Sequence, residues 1–385
     1  MKEGLVYRSF EKCITQGKAP SKIKSKFYQA SGSYPIISQE QDLISGYWDN
    51  AKDVFKHERP VIIFGDHTKN IKYIDFDFVV GADGVHILQP KDDIIPKYFY
   101  YAILAAKSKI RNLGYARHYK LLKEMEILIS TLPEQKRIVS DLDTEFAKIE
   151  NLKANAEKQL QSAKDLFQKA LKEMMEPKEG WVEKKFDAIF DTITDFVAAG
   201  SFADLRKNVV YKNSPDYAQL VRTTDLKNQF RNSGFVYVSQ SAYDYLWRVN
   251  LNEECIVLPN VGVNCGEVYY INPKCLPYSN NVLGPNAIMV RSSSFDNHFL
   301  SFLLQGQEAQ NKLKGITSTM AQPKYNKTNL KTLYLHIPSE DNQRQQIADT
   351  LDNLSAKVKA LQMNYEQTLT LCNDLKQALL KKVFE

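Results

Sequence analysis

Glycine signatures of nucleotide chemistry are missing from this chain. None of its 16 glycines stands in a Gly-x-Gly pair, and Gly17-Lys18 has no glycine at the upstream spacing a phosphate-binding loop requires. Ile271-Asn-Pro273-Lys-Cys275 lacks the Asn-Pro-Pro-aromatic character of a methyltransferase motif. Cysteine is scarce too: five residues, an odd number, with no Cys-x-x-Cys. Cys255, Cys265 and Cys275 are evenly spaced, but zinc sites need tight pairs and a nearby fourth ligand, so reduced, packed thiols are expected. The six histidines are scattered. No run approaches the roughly 18 apolar residues of a membrane span. Met1–Phe10 holds no apolar signal core, so a cytoplasmic protein without metal or cofactor is expected.

A catalytic set is equally hard to find. The nearest is Pro215-Asp216 followed by Asp225-Leu-Lys227, a loose match to the paired carboxylates and lysine of a magnesium nuclease. That nuclease stands as an alternative reading, and a coiled-coil scaffold without DNA binding as another.

The formal charge of +6 suits a polyanionic partner without requiring one. With 385 residues, 43% hydrophobic and 25% charged, the chain has the composition of an ordinary protein of two or three domains.

What the chain does contain is an internal repeat. Gly4-Leu-Val-Tyr-Arg-Ser-Phe10 aligns with Gly180-Trp-Val-Glu-Lys-Lys-Phe186, Val79-Val-Gly81 with Val282-Leu-Gly284, and Leu128–Pro133 with Leu333–Pro338. Gly180 minus Gly4 gives 176, Gly284 minus Gly81 gives 203, Pro338 minus Pro133 gives 205 and Ile347 minus Ile138 gives 209. The offset only grows, so element order is kept and the second copy carries the insertions, the largest expected around Asn213–Val249. Such a repeat is too long for a solenoid unit of about 20–50 residues.

Each copy ends in a long periodic stretch. With Leu142 at position a, the a/d ladder runs Leu142, Glu145, Ile149, Leu152, Ala156, Gln159, Ala163, Leu166, Ala170. The second copy gives Leu351, Leu354, Val358, Leu361, Tyr365, Thr368, Cys372, Leu375, Leu379 in the same register. Phe146, Leu160, Phe167 and Met174 widen the first stripe and are candidate partner-binding residues. Helices of this size reach about 60 Å and should pack on each other antiparallel. The expected fold is α+β with a pseudo-two-fold repeat: α/β domains at 1–132 and 178–338, joined by two long antiparallel coiled-coil helices at 133–177 and 339–385.

Within each domain, Pro60–Phe64, Phe78–Val80 and Val85–Leu88 read as strands, with Cys255–Leu258, Val268–Ile271 and Ala287–Val290 as counterparts. Helices Pro96–Leu113 and Phe295–Leu313 follow. A polar, partly basic segment comes next in both copies, Asn112–Lys120 and Lys312–Lys327. Lys and Arg neutralise phosphates, and Gln and Asn can pair with adenine. The candidate DNA-binding set is therefore Lys69, Lys72, Arg117, Lys120, Arg222, Lys227, Thr319, Gln322, Lys324 and Asn326.

With the ordered copies, the segments Leu132-Pro133-Glu134-Gln135-Lys-Arg137-Ile138 and Gln343-Arg-Gln-Gln-Ile347, and the opening Gly180-Trp181…Phe186, the chain resembles the specificity subunit of a type I restriction–modification system. The resemblance covers essentially the whole length. It implies two target-recognition domains, each reading half of a bipartite sequence in double-stranded DNA. It further implies paired helices that space them and dock modification (methyltransferase) subunits, and a restriction subunit that supplies translocation and cleavage. The chain itself would then be non-catalytic. Leu5 stands where the second copy has Trp181, and the middles of the domains have diverged, so the two half-sites should differ.

Overall fold

The computed structural model describes residues 5–15, 21–111, 114, 117–318 and 322–384. Gly4 and Gly17-Lys18 of the sequence argument, and Asn112, Leu113 and Thr319, lie outside the described residues. The chain divides into two compact units. One holds residues up to Lys158 together with the second long helix from Met363, and the other holds Gln159–Gln362.

In the first unit the run Val-Ile-Ile-Phe-Gly forms the strand Val61–Gly65, apolar throughout because all of it is buried. It lies inside an antiparallel sheet ordered Ile14–Thr15, Val85–Pro90, Val61–Gly65, Ile71–Ile74. A second sheet places Phe78–Gly81 parallel to Lys22–Ile23 and to Tyr34–Ile37, with Gly46–Trp48 antiparallel beyond. A two-stranded ribbon joins Val6–Ser9 to Glu126–Ile129, with Val6 opposite Ile129.

The second unit repeats this plan. Its four-stranded sheet runs Thr192–Asp195, Ala287–Arg291, Cys255–Pro259, Tyr269–Ile271. Ala218–Val221 lies parallel to Asn281–Leu283 and antiparallel to Val236–Val238. The ribbon pairs Trp181–Lys185 with Tyr334–Pro338, Val182 opposite Ile337.

Pairing corrects two of the sequence equivalences. Val268–Ile271 supplies the counterpart of Ile71–Ile74 and not of Phe78–Val80, which corresponds to Asn281–Leu283 in the other sheet, in agreement with the alignment of Val79–Gly81 with Val282–Gly284. Short apolar strands look alike, and only hydrogen-bond partners separate them. The match of Leu128–Pro133 with Leu333–Pro338 also slips. Ile129 and Ile337 hold the same ribbon position, Pro338 ends its strand, and Pro133 sits in the first turn of a helix. The added length of the second copy is spread out. Helices Phe202–Asn208, Thr223–Lys227 and Gln240–Tyr245 and the turn Pro273–Cys275 occupy four different connections, two of them outside Asn213–Val249.

The helix expected over Phe295–Leu313 is two, Asn297–Gln305 and Gln307–Ile316. They break at Gly306, where a Cβ would stand 2.7 Å from that of Met175. Its partner in the first unit, Pro96–Lys107, ends before Leu113.

The long helices are Leu132–Met174 and Asp341–Phe384. Within the first unit, Glu150 pairs with Lys376, the Cys372 thiol faces the Ile149 carbonyl, and Leu142 shares a core with Leu380 and Phe384. In the second unit Leu171 and Met175 share a core with Ile347 and Leu351. Numbers rise on one helix as they fall on the other, so the pair is antiparallel. The seam differs from the expected ladder. Leu152, Leu166 and Leu375 are 58%, 55% and 48% exposed, while Phe146, Phe167 and Lys376, each at position e, are half-buried. The a positions hold. In the first helix the second row is e, since apolar Phe146, Leu160, Phe167 and Met174 outweigh Glu145 and Gln159 at d. Among the described residues no helix is long and apolar enough to cross a membrane.

Candidate nucleic-acid interface

At one end of the two larger sheets in the first unit, the connecting loops are tied together by backbone hydrogen bonds. Asp66 donates its N–H to the Gly84 carbonyl at 2.7 Å, and the Asp66 carbonyl accepts from the N–H of His118 at 2.9 Å. The Asp66 carboxylate accepts the Tyr119 N–H at 2.8 Å. Gln39, just past Tyr34–Ile37, accepts from the His67 N–H at 3.1 Å, and its carbonyl accepts from the Thr68 hydroxyl and the Asn70 amide. Gly84 has φ +71°, a conformation that glycine adopts without strain.

The second unit builds the same staple from different residues. Asn260 donates its N–H to the Asn286 carbonyl at 3.2 Å, and the Asn260 carbonyl accepts from the N–H of Tyr325 at 3.2 Å. Asn286 has φ +68°, matching Gly84. Asp66 and Asn260 are thus equivalent, as are His118 and Tyr325. Immediately before the last two stand Arg117 and Lys324, both exposed. Each unit therefore holds one cation at the same place on a stapled loop.

The other candidates divide. Lys69 has φ +55° in the turn after Val61–Gly65, half-buried, its N–H donated to the Gly65 carbonyl. Burial, with the charge of Lys69 adding to it, pushes the Lys107 ammonium below its ordinary value. Lys120 is exposed on the short helix Tyr119–Lys123. Lys72, by contrast, is buried, and its ammonium donates to the carbonyls of Asp42 and Leu43; its work is to hold that loop.

In the second unit Gln322 and Lys324 are exposed on a loop bridged to Val261. Asn326 caps the helix Lys327–Lys331 through the Asn329 N–H at 2.8 Å, which takes up its carbonyl oxygen. Arg222 grips Asp225 through two nitrogens at 3.0 and 2.7 Å, and Lys227 donates to Asn264 at 2.7 Å and meets Glu267 at 3.3 Å. Asp225 is fully buried, saturated by Arg222 and Asn232. Asp216 is paired with Lys212. Two carboxylates engaged in this way are not poised to hold magnesium, and among the described residues no group of three or more His, Cys, Asp or Glu could hold a metal ion.

The side chains expected to bind partners are used within the chain. Phe146 packs edge-on against Tyr101 at 5.3 Å, Phe167 against Phe302 at 6.4 Å, Met174 joins the second unit's core, and Leu160 is buried. Near the His118 staple, His86 stacks on Tyr119 at 3.7 Å and lies 3.4 Å from Asp66. Burial pushes the His86 imidazole below its ordinary value against the pull of Asp66.

This twofold arrangement agrees with what comparison with known proteins finds. Residues 12–162 and 168–370 match the family described as type I restriction modification DNA specificity domain. The chain belongs to that family. Over 181 residues it is 26% identical to the type I restriction enzyme EcoR124I/EcoR124II specificity subunit of Escherichia coli, a match spanning 45% of this chain and 45% of that protein. Its fold resembles a chain from a study of complex assembly and conformational transition of the type I R-M system, with TM-score 0.66, 15% identity, and coverage of 99% of this chain and 97% of that one. It also resembles the HsdS subunit of Thermoanaerobacter tengcongensis, with TM-score 0.51, 16% identity, and coverage of 100% and 97%.

The segments that carried the resemblance to this specificity family have structural work to do. Gln135 is buried, accepts the Ile95 N–H at 2.8 Å and donates to the carbonyls of Ser130 and Asp93. Arg344, aligned with Gln135 at the helix offset of 209, donates to the Pro338 and Ser339 carbonyls. Both fasten a long helix to the ribbon that precedes it. The staple residues Asp66, Asn260, His118 and Tyr325 escaped the sequence reading. Their signal was an offset of 207 for Lys324 minus Arg117, between the 203 of the strands and the 209 of the helices.

Proposed function

We propose that the chain is the non-catalytic DNA-recognition subunit of a type I restriction–modification complex, reading a bipartite duplex target with one domain, 1–132 or 178–338, per half-site. The observation that carries this is the duplicated staple with Arg117 and Lys324 at equivalent, exposed positions. A cation on a rigid loop neutralises a phosphate and fixes the register of the loops beside it. Lys69, Lys120 and Gln322 complete the contact set; Lys72, Arg222, Lys227 and Asn326 support the loops. Thr319 stays in the proposed set from its place in the sequence.

Modification subunits, which would bring the methyl-transfer chemistry, are proposed to dock on exposed apolar side chains of the long helices, such as Leu152 and Leu371. Phe146, Phe167 and Met174 act from beneath by holding those helices to the domains, and Leu160 is buried. A restriction subunit joins the same complex, in the cytoplasm, and the chain needs no cofactor of its own.

The test is co-purification with a type I modification subunit, followed by binding of duplex fragments at increasing salt. A stable complex with selective, salt-sensitive binding is expected. A chain that captures neither modification subunit nor DNA contradicts the proposal.

A further inference from the structure

In the second unit the turn Asn260–Asn264 is held from both sides. Gly262 donates its N–H to the Pro323 carbonyl at 2.8 Å, the Asn260 amide donates to the Tyr325 carbonyl at 3.0 Å, and Lys227 donates to Asn264 at 2.7 Å. The Cys265 thiol reaches Pro323 at 3.2 Å. At the tip of this fastened turn stands Val263, 93% exposed. A lone apolar side chain on a surface is ordinary. Here the backbone is pinned on either side, so the chain cannot fold the side chain away.

Consecutive residues of the turn line different clefts. Asn260 and Val261 border one of about 540 Å³ that contains Arg206 and Tyr211, and Gly262 and Val263 border one of about 420 Å³ that contains Asn311 and Lys314. The turn is therefore a ridge between two hollows, each with an exposed cation. A duplex has the complementary form: a groove roughly 12 Å wide between two phosphate backbones. Charge complementarity and the continuity of the ridge with the Lys324 loop, through the bridge of Val261 to Lys324, identify the occupant as DNA.

We infer that this ridge enters the major groove of one half-site and that Val263 packs against the 5-methyl group of a thymine. Thymine alone among the four bases offers an apolar group there. Arg206 and Lys314 then face the flanking phosphates. The stapled turn of the first unit carries His67, Thr68 and Lys69 instead, so the other half-site is read through polar contacts. The inference rests on the proposed DNA-recognition role.

The test uses the full chain with its modification subunits and a duplex carrying the site mapped by methylation sequencing. Each thymine of both half-sites is replaced in turn by deoxyuridine, which removes only the methyl group. One replacement is expected to weaken binding by about fourfold, the worth of one buried methyl. The same replacement should cost nothing in Val263→Ala. A bipartite site whose thymines all tolerate uracil overturns the Val263 contact while leaving the recognition role standing. A penalty that persists unchanged in Val263→Ala overturns it too. Absence of any bipartite site removes the recognition role and the inference with it.

Discussion

The His118 N–H lies 2.9 Å from the Asp66 carbonyl, and the ring of His118 approaches the same oxygen through Nδ1 at 2.9 Å. This bond joins the segment after the Pro96–Lys107 helix to the turn between two strands, and Tyr325 with Asn260 repeats it. Because His118 is fully buried, His118→Ala should cost about 3 kcal/mol through the cavity and the lost hydrogen bond. Thermal unfolding reads the loss. In the assembled complex, selectivity should relax at one half-site only, as the other loop has its own staple.

Arg117 and Lys324 precede those anchors. Arg117→Ala and Lys324→Ala should each weaken binding to all sequences and lower the slope of log affinity against log salt by about 1. Gln322→Ala should shift sequence preference at one half-site with the slope unchanged. Titrations at three or four salt concentrations separate the two behaviours.

Asp225 offers a pH test. Burial raises its pKa, yet hydrogen bonds from Arg222 and Asn232 outweigh burial and hold the value below the ordinary carboxylate range. A folded-state value below the unfolded one, about 3.9, means the pair stabilises fully above about pH 4–5 and loses that contribution as pH falls through the folded value. Asp225→Asn should therefore be about 2–3 kcal/mol less stable than the native chain at pH 7, with the gap closing below pH 4. Denaturant unfolding across pH 3–7 checks the sign.

The helix seam predicts opposite outcomes for neighbours. Phe167→Ala removes a ring packed on the second unit's core and should cost about 2 kcal/mol or more. Leu166→Ala, on the solvent side, should change stability by less than about 0.5 kcal/mol. A larger loss at Leu166 would restore the a/d ladder.

The sequence made the duplication, the strands at Val61–Gly65 and Cys255–Pro259, and both long helices legible, because continuous apolar runs and heptads survive divergence. It aligned Val79–Gly81 rightly with Val282–Gly284 yet also set Phe78–Val80 against Val268–Ile271, because strands of three or four apolar residues carry no mark of their partner. Of the candidate cations, Arg117, Lys120 and Lys324 are exposed, whereas Lys72, Arg222 and Lys227 are spent on carbonyls and carboxylates brought from 3 to 40 residues away. Charge is visible in a sequence; what neutralises it is decided by folding. The staple was hidden for the related reason that its bonds are made by the backbone, which leaves Asp66/Asn260 and His118/Tyr325 free to differ in side chain.

The central claim is that two similar, separately stapled domains read two halves of one target. Methylation-sensitive sequencing of DNA treated with the purified complex tests it most directly. The account predicts a split motif with two unlike halves and a gap of fixed length. A single continuous motif, or modification without sequence preference, would contradict it.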